Sequence, residues 1–206
     1  EGMMGLELPT AEDGVLFTKR AQELLTIYPK ENAYAQLNLL DSHDMPRFLS
    51  LVSEDTRRLY LAYLFVMTYP GAPCIYYGDE IGLTGGKDPD CRKAFPWDKQ
   101  EWNQDLQGKM RELITLRHAL PALSTGSYEN LFAEGRVIAY ARTDAEERVV
   151  VIINAGDSAS TPEIPVGRYF ADETVLQDQI GDRQVTVQDG KISGMTLPAL
   201  SAVILA

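Results

Sequence analysis

The chain has 206 residues, 45% of them hydrophobic, and its 30 acidic against 19 basic side chains leave a net charge of −11. That is enough apolar material for one large or two modest domains, and too acidic a surface, without clustered Lys and Arg, to suit nucleic acid or an anionic membrane. No apolar run is long enough to span a bilayer and no basic start followed by an apolar stretch reads as a signal peptide; Cys74 and Cys91 lack metal-ligand spacing and read as free thiols, so a reducing, cytoplasmic location is expected.

Thr10 with Asp13, just after Pro9, has the spacing of a capping box, and Phe17, Ala21, Leu24, Leu25 and Tyr28 recur at helical period up to Pro29. Residues 35–40 form a short apolar run that reads as a strand buried on both faces, broken by Asp41, Ser42, His43 and Asp44. Residues 54–69 open with acids that suit the helix dipole and continue apolar, predicting a helix closed by Pro70 and Gly71. A second strand-like run, residues 74–77, stops at Gly78, Asp79 and Glu80 and gives way to a Gly-, Pro- and Asp-rich loop reaching Asp98. Leu106, Met110, Leu113, Leu116 and Leu120 mark a third helix, closed by Pro121. This alternation predicts βα units around a parallel sheet. Beyond it, β-rich stretches at residues 137–142, 148–154, 184–187 and 201–205, separated by turn signals, predict an antiparallel all-β domain from about Leu123.

Both apolar runs of the first half end in carboxylates. Chemistry in such folds gathers at the carboxyl ends of the strands, so His43 and Asp44 are expected to share one mouth with Asp79 and Glu80; the alternative is that these acids cap loops or the following helices. The stretch LLDSHDMPRF, residues 39–48, resembles the fourth signature region of the α-amylase superfamily of glycoside hydrolases. PGAPCIYYGDEIGLTGGKDPDCRKAFPWD, residues 70–98, is similar to the eighth strand and following loop of its neopullulanase, cyclomaltodextrinase and maltogenic amylase branch.

The resemblance implies that residues 1–122 are the C-terminal part of a (β/α)8 barrel, its last two strands and three helices, and that residues 123–206 form an antiparallel β-sandwich. It matches Asp44 to the carboxylate that stabilises the oxocarbenium-like transition state, and His43 to its neighbour on the same sugar ring. Arg47 matches a position near the start of the seventh helix and is counted among the substrate-binding residues, as are Asp88 and Arg92, matched to contacts on the non-reducing side of the cut. An Asp88–Arg92 salt bridge that merely braces the loop is the competing reading. Tyr77 is a candidate for stacking on a sugar, with Tyr76 expected in packing because alternation along a strand turns only one of them inward. Trp97 and Trp102 could equally be wedges, and His118 sits near a helix end where a dipole contact accounts for it.

The chain opens at Glu1 without an initiator Met and reads as a piece of something longer. On the resemblance, the strands bearing the nucleophile and the general acid lie upstream, and a retaining glycosidase needs both, roughly 5 Å apart. The expected whole is therefore a retaining hydrolase of α-glucan oligosaccharides or cyclodextrins, with the 206-residue chain inactive by itself and prone to associate with another copy. The alternative is a non-catalytic relative that keeps the barrel for binding or partnering, separated from the first by whether the upstream carboxylates are intact. No metal or cofactor is expected here: Asp88, Asp90 and Asp98 lack the spacing of a calcium loop, and any calcium is expected upstream.

Overall fold

The computed structural model describes residues 13–206. Helix α1 (Gly14–Leu24) begins where the Asp13 carboxylate accepts the Leu16 amide at 2.9 Å, giving the first turn an acceptor. Thr10 lies outside the described residues, and Asp13 is itself the cap. The helix stops at Leu24 rather than near Pro29, and a separate short helix α2 (Lys30–Tyr34) starts after that proline.

Strand β1 (Leu37–Asn38) runs parallel to β2 (Ala72–Pro73), with Leu37 opposite Ala72 and Asn38 opposite Pro73. The Ala72 amide donates to Gln36 O and the Cys74 amide to Asn38 O, both at 2.8 Å. Both strands are shorter than expected, and the apolar run at residues 74–77 lies beyond the ladder rather than within it. The reason is local. Each ladder requires a partner, and after Cys74 the chain turns away into Gly78 (φ 89°) and a 3-10 turn at Asp79–Ile81. Gly71 enters β2 at φ 117°, where a Cβ would lie 2.5 Å from the Asn38 amide nitrogen that donates to Pro70 O.

After β1 come α3 (Phe48–Leu51) and α4 (Thr56–Thr68), the latter capped by Asp55, which accepts from the Arg57 amide. After β2 and a loop of 3-10 turns comes α5 (Gln104–Ala119), capped by Asn103 onto Leu106 N, and then α6 (Pro121–Thr125). Pro121 thus closes one helix and opens the next, and the boundary expected between residues 122 and 123 falls inside α6. No helix among the described residues is long and apolar enough to cross a membrane.

The remaining elements are strands: β3 (Ser127–Glu134), β4 (Val137–Thr143), β5 (Arg148–Asn154), β6 (Ile164–Pro165), β7 (Val175–Gln177), β8 (Gln184–Thr186), β9 (Lys191–Ile192) and β10 (Ser201–Leu205). The main sheet has the order β10-β5-β4-β3, all antiparallel, and the β6–β9 and β7–β8 ladders form the facing layer. The expected antiparallel sandwich is built as one four-stranded sheet against two small ribbons.

Both faces of this sheet are buried, which explains the unbroken apolar run of β5. Ile138, Tyr140, Val149, Val151, Ile153 and Ile204 pack against Leu61, Leu64 and Met67 of α4 and Ala21 of α1. Their alternates Val137, Ala139, Val150, Ile152 and Val203 pack against Ile164, Leu176, Val187 and Ile192 of the facing layer. The opposite side of α4, through Leu59, Tyr63 and Val66, meets Leu49, Leu106 and Met110. Each fully buried aliphatic side chain contributes roughly 1.5–3 kcal/mol, so the core shared between α4 and the sheet is a large part of the stability.

Two buried arginines complete the joint. Arg117 donates to the carbonyls of Tyr69, Leu123 and Gly71, at 3.2, 3.0 and 2.6 Å, and also to Met67 O at 2.5 Å. Arg142 donates to Leu123 O at 2.6 Å, Gly126 O at 3.0 Å and Ser127 O at 3.2 Å, and to Thr68 O. Burial lowers the Arg142 guanidinium to about 10 from its ordinary 12.5, which leaves it charged at neutral pH. Arg142→Ala would strand several carbonyls without donors and is expected to cost about 3 kcal/mol or more, read as a lower urea midpoint. A midpoint equal to wild type would show that these carbonyls find other donors.

Candidate active site

The turn after β1 carries the residues of interest at its crest and is anchored at both ends. At one end Asp41, 2% exposed, accepts the Phe48 amide at 2.6 Å and so fixes the start of α3. At the other, Arg47 is fully buried and donates to Tyr77 O at 2.7 Å and Asp79 Oδ1 at 2.9 Å. Between them His43 and Asp44 are exposed, with His43 Nε2 at 3.3 Å from Asp44 Oδ2. The crest has only long bonds of its own, Asp44 N to Ser42 Oγ at 3.2 Å and Met45 N to Ser42 O at 3.3 Å.

The loop after β2 reaches back to the same crest. Arg92 Nε donates to His43 O at 3.0 Å and meets Asp88 Oδ1 at 2.8 Å, while its Nη2 stands 3.5 Å from Asp44 Oδ1. Cys91 Sγ also donates to His43 O, at 3.2 Å. Asp44, His43, Asp88 and Arg92 therefore form one exposed polar patch. All four are about half exposed or more, so water screens their mutual attraction until a ligand displaces it.

Other candidates lie elsewhere in the arrangement. Arg47 is beneath the patch, its guanidinium 4.4 Å from the Tyr76 ring centre and 4.7 Å from that of Tyr77. Its Nε and Nη2 have no hydrogen-bond partner among the described residues, and these two ring faces are what compensates the charge there. Its placement supports the patch from below rather than offering donors to a ligand. Tyr77 is partly exposed and donates its hydroxyl to Lys93 O at 2.7 Å; Tyr76 and Tyr77 both lean on Arg47, where strict alternation would have separated them. Asp79 does not reach the mouth: it is fully buried, and Glu80 accepts the Gly78 amide at 2.7 Å as a local cap. Trp97 is 84% exposed, Trp102 donates to Pro96 O, and His118 sits in the last turn of α5. No three His, Cys, Asp or Glu side chains among the described residues are arranged to hold a metal ion.

The residues that sequence reasoning missed are those under the crest. Tyr63 of α4 donates to Asp79 Oδ2 at 2.5 Å, and its only sequence signal is a tyrosine at a core position of an apolar helix. Asp41 Oδ1 is buried without a donor, and the Asp41 carboxyl contributes to the electrostatics of Asp79.

Residues 14–118 match the family model for the α-amylase catalytic domain, and residues 128–205 match that for the neopullulanase-like C-terminal domain. The chain belongs to the α-amylase family. The helices with β1 and β2 correspond to the C-terminal part of the family's (β/α)8 barrel, followed by the antiparallel β domain. It is 43% identical over 152 residues to a cyclomaltodextrinase of Geobacillus thermopakistaniensis, covering 73% of this chain and 26% of that protein. It is also 43% identical over 130 residues to neopullulanase 2 of Thermoactinomyces vulgaris, covering 62% of this chain and 22% of that one. The native debranching enzyme of Nostoc punctiforme superposes with a TM-score of 0.81 at 37% identity, over 93% of this chain and 40% of that one. The chain thus spans about a quarter of the length of these curated relatives.

Burial raises the Asp79 carboxyl from its ordinary 3.8 to about 7, and the neighbouring Asp41 carboxyl adds to the rise, against the bonds from Tyr63 and Arg47. The folded state then holds the proton more tightly than the unfolded chain. The stability this provides is complete below about pH 4 and is lost as the pH climbs to about 7. Asp79→Asn removes the group, so the gap between urea midpoints at about pH 4.5 and about pH 7.5 should narrow. An unchanged gap would assign the dependence to other groups.

Proposed function

We propose that this chain is the part of a retaining α-glucan hydrolase that supplies the transition-state-stabilising carboxylate, Asp44, and the sugar-binding patch around it. The observation that carries the reading is the convergence of two family-matched segments on one exposed site: the His43–Asp44 crest and the Asp88–Arg92 loop meet through His43 O and Asp44 Oδ1. The substrates are α-glucan oligosaccharides or cyclodextrins, in keeping with the names of the relatives. The nucleophile and the general acid come from outside this sequence, since a retaining reaction needs a carboxylate pair flanking the bond. The 206-residue chain alone therefore releases no reducing ends from starch, pullulan or cyclodextrin. The free thiols of Cys74 and Cys91 suit a reducing, cytoplasmic setting.

In this reading a glucosyl ring settles on the crest with its hydroxyls donating to Asp44, while His43 meets the same ring and Tyr77 offers a partly exposed aromatic edge. The ring displaces water from a carboxylate whose side chain is 68% exposed in its absence. The lower local dielectric then strengthens the attraction between that negative charge and the positive charge developing on the sugar. Arg92 holds the crest by His43 O and keeps a cation beside Asp44, which fixes where the carboxylate points.

In the full-length protein, Asp44→Asn should lower kcat on maltotriose and cyclodextrin by about a hundredfold with a much smaller change in KM, because the contact tightens in the transition state. Near wild-type turnover on every α-glucan would sink the assignment. Arg92→Ala should lower kcat on maltotriose and cyclodextrin alike, since its brace on the crest acts whatever the substrate length. A loss confined to long substrates would make Arg92 a contact to a distant sugar only.

A further inference from the structure

Above, the crest is held by the bonds of Arg92 and Cys91 to His43 O; below, the turn is anchored at its two buried ends, and the Arg47 end leads to a buried carboxyl. Arg47, at one end, reaches Asp79 Oδ1 directly at 2.9 Å, and Asp41, at the other, keeps its Oδ1 buried without a donor. From the far side α4 brings Tyr63, whose hydroxyl donates to Asp79 Oδ2 at 2.5 Å. Asp79, Arg47 and Tyr63 are each 0% exposed and Asp41 2%, so this knot sits in low dielectric, where each bond is strong and a missing one is costly. We propose that Asp79 is a positioning residue for Asp44 and His43: clamped by Tyr63, it holds Arg47 under the turn and thereby sets the direction of the two side chains at its crest.

Several features fit this assignment. Arg47 N donates to Gly85 O at 2.9 Å, and Gly85 N donates to Ser50 Oγ at 2.9 Å, so the end of the turn that Asp79 holds is also where the loop bearing Asp88 and Arg92 is pinned. Losing Asp79 would release both halves of the patch together. An asparagine at position 79 keeps a carbonyl acceptor for Arg47 but puts an amide donor where Oδ2 accepts from Tyr63, so it retains one half of the clamp and loses the other.

The proposal rests on the glycosidase reading for its kinetic consequence but not for its structural one, and the test uses both. In the full-length protein, Asp79→Ala, Asp79→Asn and Tyr63→Phe are compared with wild type by thermal melting, by kcat and KM on maltotriose and cyclodextrin, and by the imidazole NMR signals of His43, assigned with His43→Gln. Tyr63→Phe, which removes one oxygen, guards against a failure of Asp79→Ala to fold. The expected result is that Asp79→Ala and Tyr63→Phe move the His43 signals and lower kcat about tenfold or more, as a small misplacement of a stabilising group does, with KM changed far less. Asp79→Asn, which keeps the acceptor for Arg47 but not the one for Tyr63, should move both readouts in the same direction and by less than Asp79→Ala. A folded Tyr63→Phe or Asp79→Ala with unmoved His43 signals and wild-type kcat would overturn the proposal, whatever its melting temperature. If wild type turns over no α-glucan, the glycosidase reading fails, while movement or stillness of the His43 signals still decides whether Asp79 positions the crest.

Discussion

The end of α4 is where the two halves of the molecule are joined, and the joint is made by cations without carboxylates. Arg117 and Arg142 spend their donors on main-chain carbonyls: those of Met67, Thr68 and Tyr69 at the C-terminus of α4, and those of Leu123, Gly126 and Ser127 on the way into the sheet. The last carbonyls of a helix have no intrahelical partner and carry the negative end of its dipole, so a buried guanidinium there meets two needs at once. Both side chains reach Leu123 O, which ties α5, α6 and β4 to a single atom. Thr68 Oγ1 and Tyr140 OH, 2.5 Å apart, add a neutral bond across the same seam.

Arg47 shows the opposite solution to burying the same group. It has one carboxylate and one carbonyl as direct partners and leaves two nitrogens to the faces of Tyr76 and Tyr77. A guanidinium beside two adjoining rings is held by electrostatic attraction with little directional preference, whereas its bond to Asp79 is directional. The site is therefore stiff along the Arg47–Asp79–Tyr63 line and softer across it. The exposed crest above, with Asp44 and His43, inherits its geometry from this asymmetry.

Much of this was legible in the sequence, and the exceptions have physical causes. Helical period located α1, α4 and α5, because an amphipathic helix must repeat its apolar face, while the short helices α2, α3 and α6 contain too few residues to show a period. The long strands β4, β5 and β10 announced themselves by β-branched content. Of the ribbons of the facing layer, β8 was expected as the β-rich stretch 184–187, whereas β6, β7 and β9, two or three residues long, are below what alternation can signal. At the site, His43, Asp44, Asp88 and Arg92 could be picked out because charged residues interrupt apolar or glycine-rich stretches. Asp79 had the same signature and was expected at the mouth. Its burial depends on Arg47 and Tyr63 arriving from other elements, and a linear pattern does not record which acid receives a partner.

The double-sided burial of β4 and β5 has a consequence for how the sheet finds its alignment. In a sheet with one wet face, sliding a strand by one residue drives apolar side chains into water, and hydrophobicity alone forbids it. Here a slip would only exchange one apolar core for the other, Val150 and Ile152 for Val149, Val151 and Ile153, at small cost in transfer free energy. What penalises the slip is polar and sits at the strand ends. Arg142 would be carried away from the carbonyls of Thr68 and Leu123, and Asn154, buried at the end of β5, would lose Ser158 O, Leu197 O and Pro198 O. The frame of the sheet is thus written in two polar side chains rather than in its oily ones.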